Sequence, residues 1–256
     1  MGPVDVQQVT VSIHTRPIVA GNSLSEDDTR VEETHESSVF EEHGSDPVSD
    51  ENIDEMQSTG LKHKYDIVAV YILIYSICVL KRIHFELRDH YPQIILEIGC
   101  GSGIVSAFVN LAMGRNVLSL ATDLNPHALE CTLETSRLNG TEINVIQTDL
   151  EKGLDQLQKK VDLLLFNPPY VPTENDPEND LERCWVGGIS GRGTLDRLLP
   201  HVPFLLSSTG VFYLVALHSN DIASLLCYFP SFKGSVVMER RCGIEHLYIL
   251  KFCRRS

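Results

Sequence analysis

Between Pro92 and Phe252 the apolar residues come in short runs separated by stretches of helical period. This alternation predicts strands over 94–98, 117–122, 143–147, 161–166 and 211–217, with helices over 104–113, 126–139 and 195–206. Strands that alternate with helices at this spacing imply right-handed crossovers and a parallel sheet covered on both faces. Two last apolar runs, 235–239 and 246–252, are close enough in sequence to pair antiparallel at one edge. The fold class expected is α/β, a doubly wound, mostly parallel seven-stranded sheet with an antiparallel edge strand.

Upstream of Pro92 the pattern is different. From about Asn22 to Gly60 the chain is rich in Glu, Asp and Ser with scattered apolar residues. Such a stretch cannot bury enough apolar surface to offset a backbone ordering cost of about 1–2 kcal/mol per residue. Residues 1–60 are therefore read as an acidic disordered tail. Residues 61–91 form an atypical apolar segment, in which Ile67 to Leu80 carry no charge and are flanked by Lys62, Lys64, Lys81 and Arg82. As a helix that run spans about 21 Å, against roughly 30 Å of bilayer hydrocarbon. It is too short to cross comfortably, so a helix or strand packed on the domain at 92–256 is expected and membrane association is not.

Composition sharpens this division. The 256 residues, 43% hydrophobic and 22% charged, suit one globular domain and a spare segment, and the formal charge is −14. Residues 1–60 hold fourteen acidic side chains against Arg16 and Arg30, a net of −12, so the other 196 residues carry only −2. A nearly balanced domain argues against a chain built to grip nucleic-acid phosphates. The seven cysteines, at 78, 100, 131, 184, 227, 242 and 253, form no Cys-x-x-Cys pair. That disfavours a disulfide framework or a structural zinc site, and no metal is expected. Met1 to Ala20 lack a basic stretch followed by an apolar run, so no secretory signal is expected and the default compartment is cytoplasm or nucleus.

Candidate chemistry begins at Leu96-Glu97-Ile98-Gly99-Cys100-Gly101-Ser102-Gly103, which leaves the first predicted strand and opens the first helix. In an open α/β sheet this is where a nucleotide binds. Glycines there allow a tight turn and close approach of a ligand to bare backbone. A dinucleotide fingerprint starting at Gly99 requires glycine where Ile104 stands, and one starting at Gly101 is broken by Ser106. What remains is acidic-x-Gly-x-Gly-x-Gly. Twenty residues beyond Gly103, Asp123 ends the second strand, where a carboxylate can accept from both hydroxyls of a ribose. Asp149 ends the third strand in the same way and is expected to face an adenine. No phosphate-binding Gly-x-x-x-x-Gly-Lys-Ser/Thr loop exists, so S-adenosylmethionine fits better than ATP.

The most specific signal is Asn167-Pro168-Pro169-Tyr170 at the end of the fourth strand. Two prolines fix φ and remove two N–H donors, leaving a stiff turn with carbonyl oxygens free to accept. A target NH2 group can give its protons to Asn167 Oδ1 and the Pro168 carbonyl, which aims the nitrogen at an incoming methyl group. Tyr170 offers a ring on which a planar amide or base can stack.

Together these residues resemble the class I S-adenosylmethionine-dependent methyltransferases, and within them the HemK/PrmC-like protein-glutamine N5-methyltransferases of the short eukaryotic and archaeal branch. The resemblance runs from about Pro92 to Phe252. It is carried by Leu96 to Gly103, Thr122-Asp123-Leu124-Asn125-Pro126, Thr148-Asp149-Leu150, Phe166 to Val171 and Gly187-Gly188-Ile189-Ser190-Gly191-Arg192. It implies that Glu97, Gly99, Gly101, Gly103, Asp123, Asp149 and Leu150 bind S-adenosylmethionine, with Asn167, Pro168, Pro169 and Tyr170 at the substrate amide. The implied substrate is the glutamine of the Gly-Gly-Gln motif of a translation release factor, with lysine as a further acceptor, and the implied partner is a small zinc-binding activator subunit. The chain departs from the family in lacking a Tyr-x-Pro-x-Glu-Asp motif before the glycine turn; the apolar run 67–80 stands there instead. Two alternatives remain open on the sequence: methylation of adenine N6 in nucleic acid, which the same four-residue turn suits, and a catalytically impaired adaptor.

Overall fold

The structure, a computed structural model, describes residues 92–113, 116–179, 182–242 and 245–255. The expected acidic tail and apolar segment lie outside the described residues. Seven strands make one sheet: β1 (Ile94–Ile98), β2 (Leu118–Asp123), β3 (Ile143–Gln147), β4 (Val161–Phe166), β5 (Leu206–Leu217), β6 (Phe232–Cys242) and β7 (Glu245–Arg254). Their order is β3-β2-β1-β4-β5-β7-β6. The first five run parallel, and β7 is antiparallel to both β5 and β6. The antiparallel pair thus stands at one edge, with β7 inserted beside β5 and β6 outermost. The connections carry helices α1 (Ile104–Met113), α2 (Pro126–Leu138), α3 (Gly193–Leu198), α4 (Val202–Leu205) and α5 (Ile222–Leu226).

Alternation along the central strands gives the sheet two apolar faces. Leu96 and Ile98 of β1 pack with Leu164 and Phe166 of β4, with Phe212 and Leu214 of β5, and with Leu195, Leu198 and Val202. Ile95, Leu163, Leu165 and Tyr213 turn the other way and meet Phe108 and Val109 of α1. Each such aliphatic or aromatic side chain contributes about 1.5–3 kcal/mol by burial. No helix among the described residues is long and apolar enough to cross a membrane.

The expected helix over 195–206 is split. Pro200 lacks an N–H and breaks the ladder, so α3 passes through a 3₁₀ turn at Leu199–His201 into α4. β5 then starts at Leu206 rather than at 211. Its pairing with β4 jumps from Val161↔Leu206 to Leu163↔Val211, and a Cβ at Gly210 within the bulge would stand 2.5 Å from the Val161 carbonyl. The two last strands are also longer than expected, and α5 was not foreseen.

The strand order places the site. Chain leaves β1 toward β2 on one side and β4 lies on the other, so the carboxyl ends of β1 and β4 border the crevice where the sheet reverses direction. The glycine turn follows β1 and the Asn-Pro-Pro-Tyr turn follows β4.

Candidate active site

Four neighbouring parallel strands deliver the sequence-predicted residues to one edge. Glu97 lies in β1 and the glycine turn follows it; Asp123 ends β2, Asp149 follows β3 and Asn167 follows β4. Gly99, Gly101 and Gly103 all have positive φ, at 68°, 51° and 74°. They do different work. A Cβ on Gly103 would lie 2.7 Å from Thr132 Cα in α2, so this glycine lets turn and helix touch. Among the described residues a Cβ on Gly101 would meet nothing within 4 Å, so that stretch of backbone is open toward them.

Asp123 is built into the turn. Its Oδ2 accepts from Gly101 N at 3.0 Å and its Oδ1 from Asn125 N at 2.9 Å. A carboxylate offers about four lone-pair sites, so these bonds fix its orientation and leave acceptor capacity for a ligand hydroxyl. Asn125 in turn caps α2, its side chain accepting from His127 N at 3.0 Å, with Pro126 opening the helix.

Glu97 is 3% exposed, and its Oε2 accepts from both the backbone N–H and the hydroxyl of Ser106. Burial pushes its pKa up to about 8 against the pull of the Ser106 bonds, with the Asp123 charge adding a little. Asp149 has the opposite bias. Lys152 Nζ donates to its Oδ2 at 2.6 Å and Arg197 at 2.5 Å. The Lys152 bond leads in holding this carboxyl below its ordinary value, partly offset by desolvation and helped by Arg197. With Leu150, Glu151, Lys152, Asp196, Arg197, Pro200 and His201 it lines a cavity of about 430 Å³. Leu150 takes a left-handed φ of 59°, a costly conformation for a leucine. Thr148 N donates to the Asp123 carbonyl at 3.0 Å and ties the ends of β3 and β2 together.

Asn167 Oδ1 is buried and has no hydrogen-bond partner among the described residues. A buried acceptor left unmet costs about 1–3 kcal/mol. It belongs to a small cavity bordered by Glu97, Val105, Phe166, Tyr213 and Val215. Pro168 is buried and Pro169 half-buried. Tyr170 corrects one expectation: its ring is 7% exposed and packed in the apolar cluster of Phe108 and Tyr213, so it offers little open face for stacking.

One residue at the site carried no signal in the sequence. Asn220, 1% exposed in the turn after β5, donates through Nδ2 to the Tyr170 carbonyl at 3.0 Å and to the Ser190 and Gly191 carbonyls at 3.3 Å. The Gly187–Arg192 loop runs alongside, joined by Gly187 N to the Val171 carbonyl at 2.8 Å and Thr173 N to the Gly188 carbonyl at 2.9 Å. An asparagine 50 residues from its partner forms no local motif. Among the described residues no cluster of three or more His, Cys, Asp or Glu side chains suits a metal ion.

Comparison with known proteins follows the same residues. The family model for the methyltransferase small domain matches residues 83–183. Methyltransferase HEMK2 of Homo sapiens is 44% identical over 167 residues, which cover 63% of this chain and 78% of that protein. The eRF1 methyltransferase catalytic subunit mtq2 of Schizosaccharomyces pombe is 34% identical over 175 residues, 62% of this chain and 74% of that protein. Among solved structures, the E. cuniculi Mtq2-Trm112 complex, described as responsible for methylation of the eRF1 translation termination factor, superposes with a TM-score of 0.54 at 24% identity. It covers 71% of this chain and 96% of that one, and shows the same fold.

Proposed function

The chain belongs to the HemK-like methyltransferases, and from that premise we propose that its acceptor is the side-chain amide N5 of the glutamine in the Gly-Gly-Gln motif of a translation release factor. It is a methyltransferase, and its methyl donor is S-adenosylmethionine, which supplies a methyl group already activated on a sulfonium.

The residues present fit that donor. Gly99 and Gly101 present backbone unencumbered by a Cβ, and Gly103 holds the turn against α2. Asp123 keeps acceptor capacity for ribose hydroxyls, while Asp149 and Leu150 border a cavity beside the end of β3. Glu97, in β1, borders the small cavity at Asn167. These residues are assigned to the cofactor.

The observation that carries the acceptor assignment is the buried, unpartnered Oδ1 of Asn167. An NH2 group that donates to it relieves the cost of the orphan and is held at the same time. The Pro168 carbonyl takes the second proton of the amide, and the two prolines keep both acceptors at a fixed spacing. An amide nitrogen is a weak nucleophile, so the contribution of these residues is orientation and electrostatics rather than prior deprotonation.

A small activator subunit is proposed as partner, the zinc-binding one that the family resemblance implies. In support of this reading, β3 pairs only with β2 among the described residues, and Leu118 at the start of β2 and Leu138 at the end of α2 are 44% and 42% exposed at the same end of the sheet. The thiols of Cys100, Cys227 and Cys253, none in a disulfide, suit a reducing compartment, and cytoplasm, with nucleus as a second location, is proposed.

The test is methyl transfer from labelled cofactor to a Gly-Gly-Gln-bearing release factor in the presence of the activator, with mass mapping of the product. The label is expected on the glutamine. Asn167→Ala is expected to lower turnover by about a hundredfold or more while cofactor affinity, read by calorimetry, stays within a few-fold. Unchanged turnover would remove Asn167 from the role assigned to it.

A further inference from the structure

We propose that Asn220 is a positioning residue for the amide-binding turn, setting Asn167 to Tyr170 from behind by gripping the Tyr170 carbonyl. The proposal rests on the reading of Asn167 as the acceptor of the target amide, and it assigns the second layer that holds that acceptor in place.

The need for such a grip follows from the turn's own chemistry. Pro168 and Pro169 have no N–H, so only Asn167 and Tyr170 can anchor the segment through a donor. A turn poor in donors must be held through its carbonyl oxygens. Asn220 supplies the missing donor from another part of the chain. Its two amide protons serve three carbonyls, those of Tyr170, Ser190 and Gly191, so at least one proton is shared. Its Oδ1 accepts from Leu217 N at 2.7 Å, which fastens the assembly to the last residue of β5. Donor and acceptor sides of the amide are both committed.

The surroundings are shaped for this contact. Gly191 has a φ of 66°, and a Cβ there would run into the Tyr170 carbonyl and the Asn220 Nδ2. A Cβ on Gly187 would lie 2.7 Å from Gly191 Cα, so the Gly-Gly-Ile-Ser-Gly loop is folded tightly enough to place two carbonyls on one amide. Asp221 takes a left-handed φ of 54°, and its side chain accepts from Ser224 N at 3.2 Å. Arg192, ion-paired with Asp196 at 2.8 Å, reaches the Asn220 carbonyl at 3.4 Å. Backbone strain at Asp221 is thus held by contacts on both sides, as expected of a segment whose geometry matters.

Neither aspartate nor serine reproduces the grip. Aspartate keeps an acceptor for Leu217 N but turns an oxygen toward three carbonyls. Serine leaves a single short donor and room for water. Either change frees the turn to shift, and a displacement of about 1 Å in a positioned reacting group costs on the order of a hundredfold in rate.

The experiment is a double-mutant cycle on the full chain with its activator, with turnover, substrate KM and cofactor affinity measured for Asn220→Asp, Asn220→Ser, Asn167→Ala and the two combinations. Each Asn220 variant alone is expected to lower kcat about ten- to a hundredfold, with KM for the release factor and cofactor affinity changed less than about threefold. In the Asn167→Ala background the same substitutions are expected to cost several-fold less than in the parent, because one of the two acceptors they position is gone and only the Pro168 carbonyl remains to be held. Equal losses in both backgrounds would overturn the proposal and make Asn220 a purely structural residue. If Asn220→Asp fails to fold, the serine variant carries the same comparison. A null effect of Asn167→Ala alone would overturn the acceptor assignment instead, so the two failures are distinguishable.

Discussion

At the level of single residues, burial decides protonation at Glu97. Its folded pKa of about 8 lies above the ordinary 4.5, so between those values the unfolded chain gives up a proton that the folded protein keeps. Stability therefore falls as pH rises from about 4.5, at up to roughly 1.4 kcal/mol per pH unit from this group alone, and levels off above about 8. Glu97→Gln stays neutral and still accepts from Ser106. Its melting temperature without cofactor is expected to gain on that of the parent steadily from about pH 5 to 8. Parallel pH profiles for the two proteins would mean that Glu97 is already ionised in the fold. The acidic-x-Gly-x-Gly-x-Gly pattern and the family resemblance mark this glutamate as a candidate site residue. Its protonation was not legible, because it depends on Ser106 and on apolar residues from β4 and β5 that converge only in the folded sheet.

Between elements, the glycine turn separates two functions that the sequence merges. Gly103→Ala puts a Cβ against Thr132 in α2, so it is expected to lower stability by about 2 kcal/mol or more. Gly101→Ala meets no atom of the described residues within 4 Å, and its expected cost in stability is that of the left-handed backbone, about 1–2 kcal/mol. If a ligand lies against that open backbone, Gly101→Ala loses cofactor affinity well beyond its loss of stability; calorimetry and thermal melts on both variants check this. Unchanged affinity in Gly101→Ala would put the cofactor elsewhere. The turn was readable because glycine spacing and the end of an apolar run are local features, as were β1 to β4 themselves. The stretch between β4 and β5 was harder. Leu195 to Leu206 has helical periodicity, but Pro200 breaks it into short pieces, and a bulge at Gly210 lets β5 pair with β4 from Leu206 onward. Asn220 escaped for a related reason: its partners lie at Tyr170, Ser190 and Gly191, and only the packing of β5 beside β4 joins them.

Across the whole molecule, the sheet has two edges of different length among the described residues. Among the described residues the eleven-residue β6 pairs only with β7 at one edge, and the five-residue β3 pairs only with β2 at the other. A short edge strand flanked by exposed leucines leaves hydrogen-bonding groups and apolar area without cover, and a small partner subunit can supply both. Because β2 and β3 are parallel and Ser119 pairs with Ile143, the start of β2 and the end of α2 meet at the amino end of this edge. Leu118 and Leu138 stand there, away from the glycine turn and Asn167 at the carboxyl end. Leu118→Glu combined with Leu138→Glu is therefore expected to change the stability of the chain alone by no more than about 1 kcal/mol. It is expected to abolish the gain from the activator, which for a partner present at a hundredfold its Kd is about 2.7 kcal/mol. Thermal melts of the parent and the double variant, with and without the subunit, read this directly. A gain that survives both substitutions would place the partner on another face, and a loss of cofactor binding in the lone variant would show that this end of the sheet is coupled to the site.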